Sequence, residues 1–386
     1  MRASSGSSAA IAPGISFSRY RLLTAHGPLR LYRLRVDLRV PTVRLGLGLA
    51  HGRLISSDET VSSMVGRTRA VAGVNGDFFD IGDSGMPLNI VVQDGALLRS
   101  PSRRTALEVR KDGTAAIVRY EWHGSLVLTE TNASYWIAGF NTGIVADGIT
   151  ALSNARGYGA PSPGPGVRQT VVELTPGDED TPVSADSGFS LITQPSPPAG
   201  VPYRVKQVWP SQAYYAPFPR GEMLLVGRGR GSDWLRSHVT AGAQALLSFA
   251  TRPDWRAAQL AIGGGPLLVD RGRVVGDPSS PVPHERDMRR PVLGVGILPD
   301  AHTLLLVGVD GRQRASVGLT QPELAAYLRW LGAVQAMAFD SGGSVTMVVR
   351  FPWRPAPTVV NSPSDGHERR VGDALLVFEM PARLAR

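Results

Sequence analysis

The sequence contains no cysteine and almost no lysine. Of its 386 residues only Lys111 and Lys206 are lysines, so nearly all of the 41 basic side chains are arginines. The lack of cysteine excludes disulfides, thiolate catalysis and thiolate metal sites. No apolar run approaches the length of about 18 residues that a membrane-spanning helix needs. We therefore expect no transmembrane segment.

Metal-binding patterns are also scarce. The seven histidines never pair at the spacing of metal ligands. We therefore predict no cofactor and no histidine metal site. The acidic stretch Asp178–Asp180 is either a solvated loop or a cation site, so a calcium ion held by loop carboxylates stays an open alternative.

The charge of the chain is strongly basic, with a formal net charge of +9. Guanidinium groups bind phosphate in a planar, bidentate way, so a phosphate-bearing substrate is one interpretation. The other is that arginine is simply used in place of lysine, as in proteins of GC-rich genomes. The arginines form no dense run, and no helix-turn-helix or zinc-finger motif is present, so we predict no nucleic-acid partner.

The composition favours a strand-rich fold with many turns, because the chain holds 44 glycines and 30 prolines. We expect an α+β protein with mixed sheets and a few packed helices. Residues 1–28 are predicted to be a partly disordered N-terminal lead, and residues 29–386 a single domain. The polar start fits a chain that follows a removed export signal, so we expect a secreted or cell-envelope location.

Helix-start signals occur at three places. Ser56 and Glu59 are spaced as a capping box, and so are Thr320 and Glu323. Ser232 is predicted to cap a shorter helix. Before the first of these helices, the alternation of apolar and charged residues over 32–40 predicts a half-buried strand. Before the last, the apolar run 304–309 predicts a fully buried strand.

Four segments combine glycine with polar side chains at the ends of apolar strands, where a rigid scaffold often presents a site. They are Asn75–Asp80, Gly263–Pro266, Asp340–Ser344 and Asn361–Asp373. Each also has a structural interpretation, as a tight turn, a hairpin or a solvated charged loop. Arg290, before an apolar strand, offers a guanidinium to a phosphate or is a charge at a strand edge.

The chemistry of two of these segments is informative. In Asp340–Ser344 a carboxylate precedes a glycine-rich turn with two hydroxyls. The carboxylate suits acid–base or nucleophilic chemistry, and the amides suit an oxyanion. The three glycines 263–265 would let the backbone approach a ligand closely, with N–H groups available to an anion.

Taken in order, these motifs resemble the phosphodiester glycosidase family, which includes the N-acetylglucosamine-1-phosphodiester α-N-acetylglucosaminidases. The matching features are an Asn-Gly-x-Phe-Phe motif at 75–79, the glycines at 263–265, Arg290 before a strand, the Asp310–Arg312 turn, Glu323 in a helix, Asp340–Ser344, and the tail with Asn361, Pro363, Glu368 and Arg369. The resemblance runs from residue 30 onward and is strongest over 260–378.

The chain departs from the family pattern at three positions. Ser341 stands where the family usually has glycine, Asp77 occupies a variable position that is often glycine, and Pro291-Val292 replaces the usual Thr-Ala. These departures leave the fold intact and bear on the substrate.

The resemblance implies a glycoside hydrolase that releases a sugar from a sugar-1-phosphodiester or a related glycan linkage. Paired carboxylates commonly do this chemistry. The expected catalytic residues are Asp340, as base or nucleophile, with Glu368 or Asp77 as its partner. The expected substrate-binding residues are Asn75, Gly264, Gly265, Arg290, Asp310, Ser341, Gly343, Ser344 and Arg369.

Two alternatives to this function stay open. One is a glycosidase that acts on an envelope polysaccharide without phosphate, which would cleave phosphate-free substrates equally well. The other is a non-catalytic glycan-binding protein on the same fold, which would bind saturably without turnover. In each case the partner is a carbohydrate or sugar phosphate.

Overall fold

A computed structural model describes residues 2–102, 104–157, 159–177, 200–210, 213–214, 219–277, 286–354 and 356–381. The acidic stretch 178–180 lies outside these residues. The chain divides into two compact units, where the sequence had predicted one domain over 29–386. The first comprises residues 1–97, 103–120 and 256–386, and the second residues 98–102 and 121–255.

Strands dominate the described residues. Those in the first half of the chain are β1 (Arg2–Ala12), β2 (Ile15–Thr24), β3 (Gly27–Asp37), β4 (Val43–Leu49), β5 (Glu59–Thr60), β6 (Ala72–Asn75), β7 (Val91–Gln93), β8 (Ala96–Arg99), β9 (Thr105–Arg110), β10 (Ala115–Arg119), β11 (Glu121–Leu128), β12 (Ser134–Phe140), β13 (Gly148–Ser153) and β14 (Gln169–Pro176). Those in the second half are β15 (Val201–Pro210), β16 (Met223–Arg228), β17 (Gln244–Arg252), β18 (Ala258–Gly263), β19 (Leu267–Asp270), β20 (Arg273–Val274), β21 (Val292–Ile297), β22 (Thr303–Val309), β23 (Gln335–Ala338), β24 (Met347–Val349), β25 (Thr358–Val359), β26 (Arg370–Val371) and β27 (Asp373–Glu379).

The α-helices of the described residues are few and short: α1 (Val61–Thr68), α2 (Arg230–His238) and α3 (Gln321–Trp330). The predicted fold class, α+β with strand-rich sheets and a few packed helices, is therefore confirmed. None of these helices has the length and apolar character required to cross a membrane.

The first unit is built on an eight-stranded sheet with the order β1-β2-β3-β22-β21-β23-β19-β20. Its central strands β21 and β22 are buried along their whole length, because α3 and its neighbours cover them. Leu324 and Leu328 of α3 pack into the same core as Val292 and Leu305. This core fixes the positions of β21, which follows Arg290, and of β23, which precedes Asp340.

A five-stranded sheet in the same unit carries the polar residues Asn75 and Asp373 at the ends of its strands. Its order is β25-β24-β6-β27-β4, and β6 pairs with both β24 and β27 in antiparallel register. Helix α1 buries Val61, Met64 and Val65 against this sheet. Since β6 ends at Asn75 and β27 begins at Asp373, the sheet places these two polar ends side by side.

The second unit contains a closed barrel with the order β11-β12-β13-β16-β14-β15-β17. Leu152, Val171, Leu224 and Val226 of these strands are fully buried and pack together in one apolar cluster.

The expectation of a disordered lead is wrong for much of residues 1–28. Strand β1 pairs with β2, and β2 pairs with β3 in antiparallel register. Ile15 and Phe17 are buried on one face of β2. The Ser-rich β1 is ordered because its backbone hydrogen bonds to β2 do not depend on apolar side chains.

The predicted helix starts had different outcomes. The capping box of Thr320 and Glu323 is confirmed, with both of its reciprocal hydrogen bonds present. The predicted box at Ser56 and Glu59 is wrong, because Thr60 caps α1 and Glu59 is buried beside Arg67. The cap at Ser232 is also wrong, because α2 begins two residues earlier, after Gly229.

Candidate active site

The site is centred on Asp340, which follows β23 in the eight-stranded sheet. The chain then makes a single 3-10 turn over Gly342–Ser344, and Gly342 has a φ of +70°, which favours glycine. Oδ1 of Asp340 accepts a hydrogen bond of 2.8 Å from the N–H of Ser341. A second hydrogen bond joins its side chain to that of Ser344. The carboxylate is thus held in one orientation by its own turn.

The environment of Asp340 makes this carboxyl group a weaker acid than usual. Its side chain keeps partial access to solvent but is surrounded by protein atoms, and this desolvation raises its pKa to about 6. The hydrogen bonds from Ser344 and Ser341, together with the charges of Arg369 and Arg290, lower the pKa in part. A carboxyl group tuned in this way can exchange a proton near neutral pH.

Guanidinium groups surround this carboxyl group. Arg290 is almost fully buried, and its charge acts on Asp340. Nη1 of Arg369 donates to Oγ of Ser344 at 3.3 Å. Nη1 of Arg312 lies 3.5 Å from the position that a Cβ on Gly342 would take. Cations beside one carboxylate make an anion-binding centre.

Arg312 was not among the expected site residues, although the Asp310–Arg312 turn was one of the family motifs and Asp310 was expected to bind substrate. The backbone of Arg312 has a φ of +58°. Its guanidinium also lowers the pKa of Arg290, after the effect of burial, so the two cations are close enough to repel each other. Such repulsion is relieved when an anion binds between them.

An ion pair lies directly against the glycine turn. Asp365, in the tail loop, forms an ion pair of 2.7 Å with Arg369. Both side chains pack onto Gly343, where any Cβ would overlap them. Glycine at this position is therefore required by the close approach of Arg369, and Ser344 beside it is fully buried.

Asn75 holds the two ends of the Asp340 segment together. Its Nδ2 donates to the backbone carbonyl of Asp340 at 2.9 Å, and its Oδ1 accepts from the N–H of Thr346 at 3.0 Å. The N–H of Asp340 donates to the carbonyl of Gly76 at 3.0 Å. Asn75, predicted to bind substrate, therefore lies behind the site and fixes its backbone.

Asp77 also lies behind the site, in a buried position. The N–H of Asp77 donates to Oδ1 of Asp373 at 2.8 Å, and its own Oδ2 accepts from the N–H of Asn89 at 2.7 Å. Asp77 and Asp373 are 2% and 1% exposed. The structure gives Asp77 a supporting position, where the sequence had suggested a catalytic partner.

Glu368, the other expected catalytic partner, is occupied elsewhere. Its Oε1 accepts from the N–H of Ser62 at 2.7 Å, and its Oε2 accepts from Oγ of Ser62 at 2.5 Å. Ser62 is the second residue of α1, so the carboxylate lies at the positive end of that helix. The structure thus gives Glu368 the role of holding α1.

Three further residues predicted to bind substrate have packing roles. The N–H groups of Gly264 and Gly265 donate to the carbonyls of Thr105 and Ala338, so these amides are already used. Asp310 is fully buried, and its carboxylate accepts from Tyr32 and from the N–H of Ser362 at 2.9 Å each. These residues position the strands and the tail loop around the site.

Metal ligation is not evident at the site. Across the described ranges, no group of three His, Asp or Glu side chains is arranged to hold a metal ion. Asp340, Asp77 and Asp373 instead make hydrogen bonds to backbone N–H groups.

Comparison with solved structures establishes the fold. A hypothetical protein from Synechocystis aligns with a TM-score of 0.75 at 19% identity, over 95% of this chain and 62% of that one. A candidate exported protein from Burkholderia pseudomallei aligns with a TM-score of 0.68 at 24% identity, over 92% of this chain and 74% of that one. The chain thus spans less than two thirds of the Synechocystis protein.

A third structure is the catalytic domain of zebrafish N-acetylglucosamine-1-phosphodiester α-N-acetylglucosaminidase. It aligns with a TM-score of 0.49 at 14% identity, over 97% of this chain and 88% of that one. A comparison with curated protein sequences finds no match.

The sequence model of the phosphodiester glycosidase family matches residues 216–378. This range contains Arg290, Arg312, Asp340, Asp365 and Arg369, all of which the fold brings together. The resemblance inferred from the motifs is therefore confirmed: residues 216–378 are a match to the phosphodiester glycosidase family.

Proposed function

We propose that the protein hydrolyses sugar-1-phosphodiesters, releasing the sugar from the phosphate. The observation that carries this proposal is a carboxyl group with a pKa of about 6 beside guanidinium groups. A phosphate diester supplies one negative charge, which suits Arg312 and Arg369 at the rim of the site. The family match over residues 216–378 supports the same reaction class.

The proposed reaction breaks the bond between the anomeric carbon and the phosphate oxygen. Asp340, in its ionised form, accepts a proton from water as the water oxygen attacks the anomeric carbon. Alternatively, Asp340 attacks that carbon itself to form a glycosyl-enzyme ester, and water then hydrolyses this ester to free the sugar and the Asp340 carboxylate. The electron pair of the broken bond stays on the phosphate. Because the second pKa of a phosphate monoester is about 6, the leaving group is stable without strong acid assistance.

The arginines have separate tasks in this proposal. Arg312 and Arg369 bind the phosphate oxygens and stabilise the charge that develops as the bond breaks. Arg290, buried behind them, keeps the pKa of Asp340 from rising further. Asp365 orients Arg369 through their ion pair, and Ser344 links Arg369 to Asp340.

The decisive experiment is sugar release by the wild type and by Asp340→Asn. The substrates are UDP-N-acetylglucosamine and a panel of other sugar-1-phosphodiesters. We expect the substitution to lower turnover by about 10²–10⁴-fold, the range typical of a lost acid–base group. The control is Asp112→Asn, the same chemical change in an exposed turn, where Asp112 accepts from Thr114.

The outcomes separate the alternatives. Full turnover by a folded Asp340→Asn protein would contradict the catalytic role of Asp340. Equal release from phosphate-free glycosides would indicate an ordinary glycosidase. Saturable binding without release from the whole panel would indicate a glycan-binding protein.

An exported location fits this function, since polysaccharides with sugar phosphates are components of cell envelopes. One structural neighbour is described as a candidate exported protein. We therefore propose a secreted or envelope location, which fractionation of the source cells would test. Recovery of the protein only with cytosolic markers would contradict it.

A further inference from the structure

The buried carboxyl pair of Asp77 and Asp373 is unexplained by the proposed reaction. Both side chains are almost fully buried, and they lie at adjacent ends of β6 and β27. A buried carboxylate lowers the stability of the folded state unless it is paired with a cation or fully hydrogen-bonded. Two of them side by side repel each other, as in sites where two carboxyl groups share one proton.

The hydrogen bonds of the pair are unequal. Both oxygens of Asp77 accept backbone N–H groups, from Phe78 at 2.9 Å and from Asn89 at 2.7 Å. On Asp373, Oδ1 accepts the N–H of Asp77, whereas Oδ2 is buried and has no hydrogen-bond partner among the described residues. The oxygen that lacks a donor is the natural position for a proton.

The pair is connected to Asp340 through the backbone. The N–H of Gly76 donates to the carbonyl of Asp373 at 3.2 Å, and the carbonyl of Gly76 accepts the N–H of Asp340 at 3.0 Å. A Cβ on Gly76 would overlap the carboxyl group of Asp373. The turn after β6 is thus clamped between Asp373 on one side and Asp340 on the other.

We propose that Asp373 is a neutral carboxylic acid, protonated on Oδ2, and that it positions Asp340 by holding the Asn75–Asp77 turn. Asp373 is a positioning residue, because it acts on Asp340 only through this turn. Its ionisation would place a second negative charge beside Asp77 and loosen the turn. The link to catalysis rests on the proposed function, but the protonation state does not.

The charged groups near Asp373 support this arrangement. Burial raises the pKa of Asp373 well above its ordinary value, and the charges of Asp77, after β6, and Asp340, after β23, raise it further. The N–H of Asp77 opposes these effects. Strand β4 presents Leu49 opposite Asp373, which adds no charge.

The sign of the pH effect follows directly. A carboxyl group whose pKa is raised by folding binds more protons in the folded state. Its contribution to stability is fully present below the ordinary carboxyl pKa and is lost as the pH rises toward the raised value. The titration of Asp373 should therefore lower the stability of the wild type across this window. Asp373→Asn, which mimics the neutral acid, should lose less stability, because other carboxyl groups with a raised pKa, such as Asp340, still titrate in it.

The test is thermal unfolding of the wild type and of Asp373→Asn from acidic to mildly alkaline pH. We expect the variant to have a flatter profile and a higher Tm than the wild type at the alkaline end. The matched control is Glu59→Gln. Glu59 is also buried, but hydrogen bonds from Arg67, Ser63 and His51 outweigh its desolvation and lower its pKa, so its amide variant should lose Tm at neutral pH.

Two further variants keep the proposal falsifiable. Asp77→Asn removes the neighbouring charge and should move the transition of Asp373 toward the ordinary carboxyl range. Asp373→Ala removes the acceptor of the Asp77 N–H, and should lower turnover of UDP-N-acetylglucosamine about tenfold or more through misplacement of Asp340. Asp373→Asn should restore turnover and keep it at alkaline pH.

A profile of Asp373→Asn that falls with pH as steeply as that of the wild type would overturn the neutral acid. Equal turnover by Asp373→Ala and Asp373→Asn would overturn the positioning role. If the wild type releases no sugar from any probe, the proposed reaction fails, and the Tm profiles still decide the state of Asp373.

Discussion

At the scale of single residues, the centre of the candidate site is the carboxyl group of Asp340, whose pKa is raised by one effect and lowered by others. Desolvation raises the pKa of Asp340, and the hydrogen bonds and arginine charges around it lower the pKa in part. The net result, about 6, leaves the group ionised at neutral pH but still able to accept a proton. Desolvation and charge compensation together make a base of useful strength.

This balance predicts a pH dependence of catalysis. If Asp340 must be ionised, kcat/KM rises as the pH increases through about 6. Arg369→Gln removes one of the cations that lower the pKa, so the midpoint of this rise should move to higher pH. Steady-state kinetics on UDP-N-acetylglucosamine across the range measures the shift. An unchanged midpoint in the variant would contradict the assigned electrostatic contact.

Arg312 permits a sharper test of phosphate recognition. Arg312→Gln should lower kcat/KM for phosphodiester substrates by about 10–100-fold, the loss expected for one charge-assisted hydrogen bond. Release from a phosphate-free glycoside should not change. Arg314→Gln is the matched control, because Arg314 is an exposed arginine two residues further along the chain. Equal losses on both kinds of substrate would argue against a phosphate contact.

Residue identity alone could single out the Asp340 segment, but not the contacts of its expected partners. The segment stands out because a carboxylate, glycines and hydroxyls follow an apolar strand, and the catalytic role of Asp340 stays a prediction. Glu368 was assigned a catalytic role, although it binds Ser62, which lies 306 residues earlier in the chain. No local pattern reports a contact at such a separation.

At the scale of elements, the glycine turn Gly342–Ser344 controls how closely Arg369 approaches Asp340. Gly343→Ala should push Arg369 and Asp365 away, since their flexible ends can move. We expect kcat/KM to fall by about tenfold or more while Tm changes little, since the turn stays intact. Gly143→Ala is the control, because no atom lies within 4 Å of its added Cβ. Parallel losses of Tm and activity would indicate general destabilisation.

The two predicted capping boxes show when a local sequence motif is enough to predict the start of a helix. At Thr320 and Glu323 the capping box forms, and Arg289 also contacts Glu323 without disrupting it. At Glu59 the same spacing fails, because Arg67 and Ser63 both bind the carboxylate. A tertiary partner can thus redirect a side chain that the local motif assigns to a cap.

Backbone pairing explains the other main error. The polar β1 was expected to be disordered, since it has little apolar surface to bury. It nevertheless forms an 11-residue strand by pairing with β2. The apolar run 304–309 identified β22 correctly. Such a pattern carries no information on whether a polar segment has a neighbour with free backbone groups.

At the scale of the whole molecule, the catalytic candidates and the packing residues behind them all belong to one compact unit. Within this unit, two sheets contribute to the site. In the eight-stranded sheet, Arg290 precedes β21 and Asp340 follows β23. In the five-stranded sheet, Asn75 ends β6 and Asp373 begins β27. The motifs that predicted the family are far apart in the chain, and several of them, such as those at Asn75 and Asp340, lie at the ends of strands of these sheets. Their mutual contacts followed only from the topology.

In the proposed reaction water, or Asp340 and then water, attacks the anomeric carbon and not the phosphorus atom. The most direct test is hydrolysis of UDP-N-acetylglucosamine, or of the best substrate in the panel, in ¹⁸O-labelled water, with mass spectrometry of both products. Attack at the anomeric carbon should place the label in the released sugar and none in the phosphate. Label in the phosphate would mean cleavage of the phosphorus–oxygen bond and would contradict the proposed reaction.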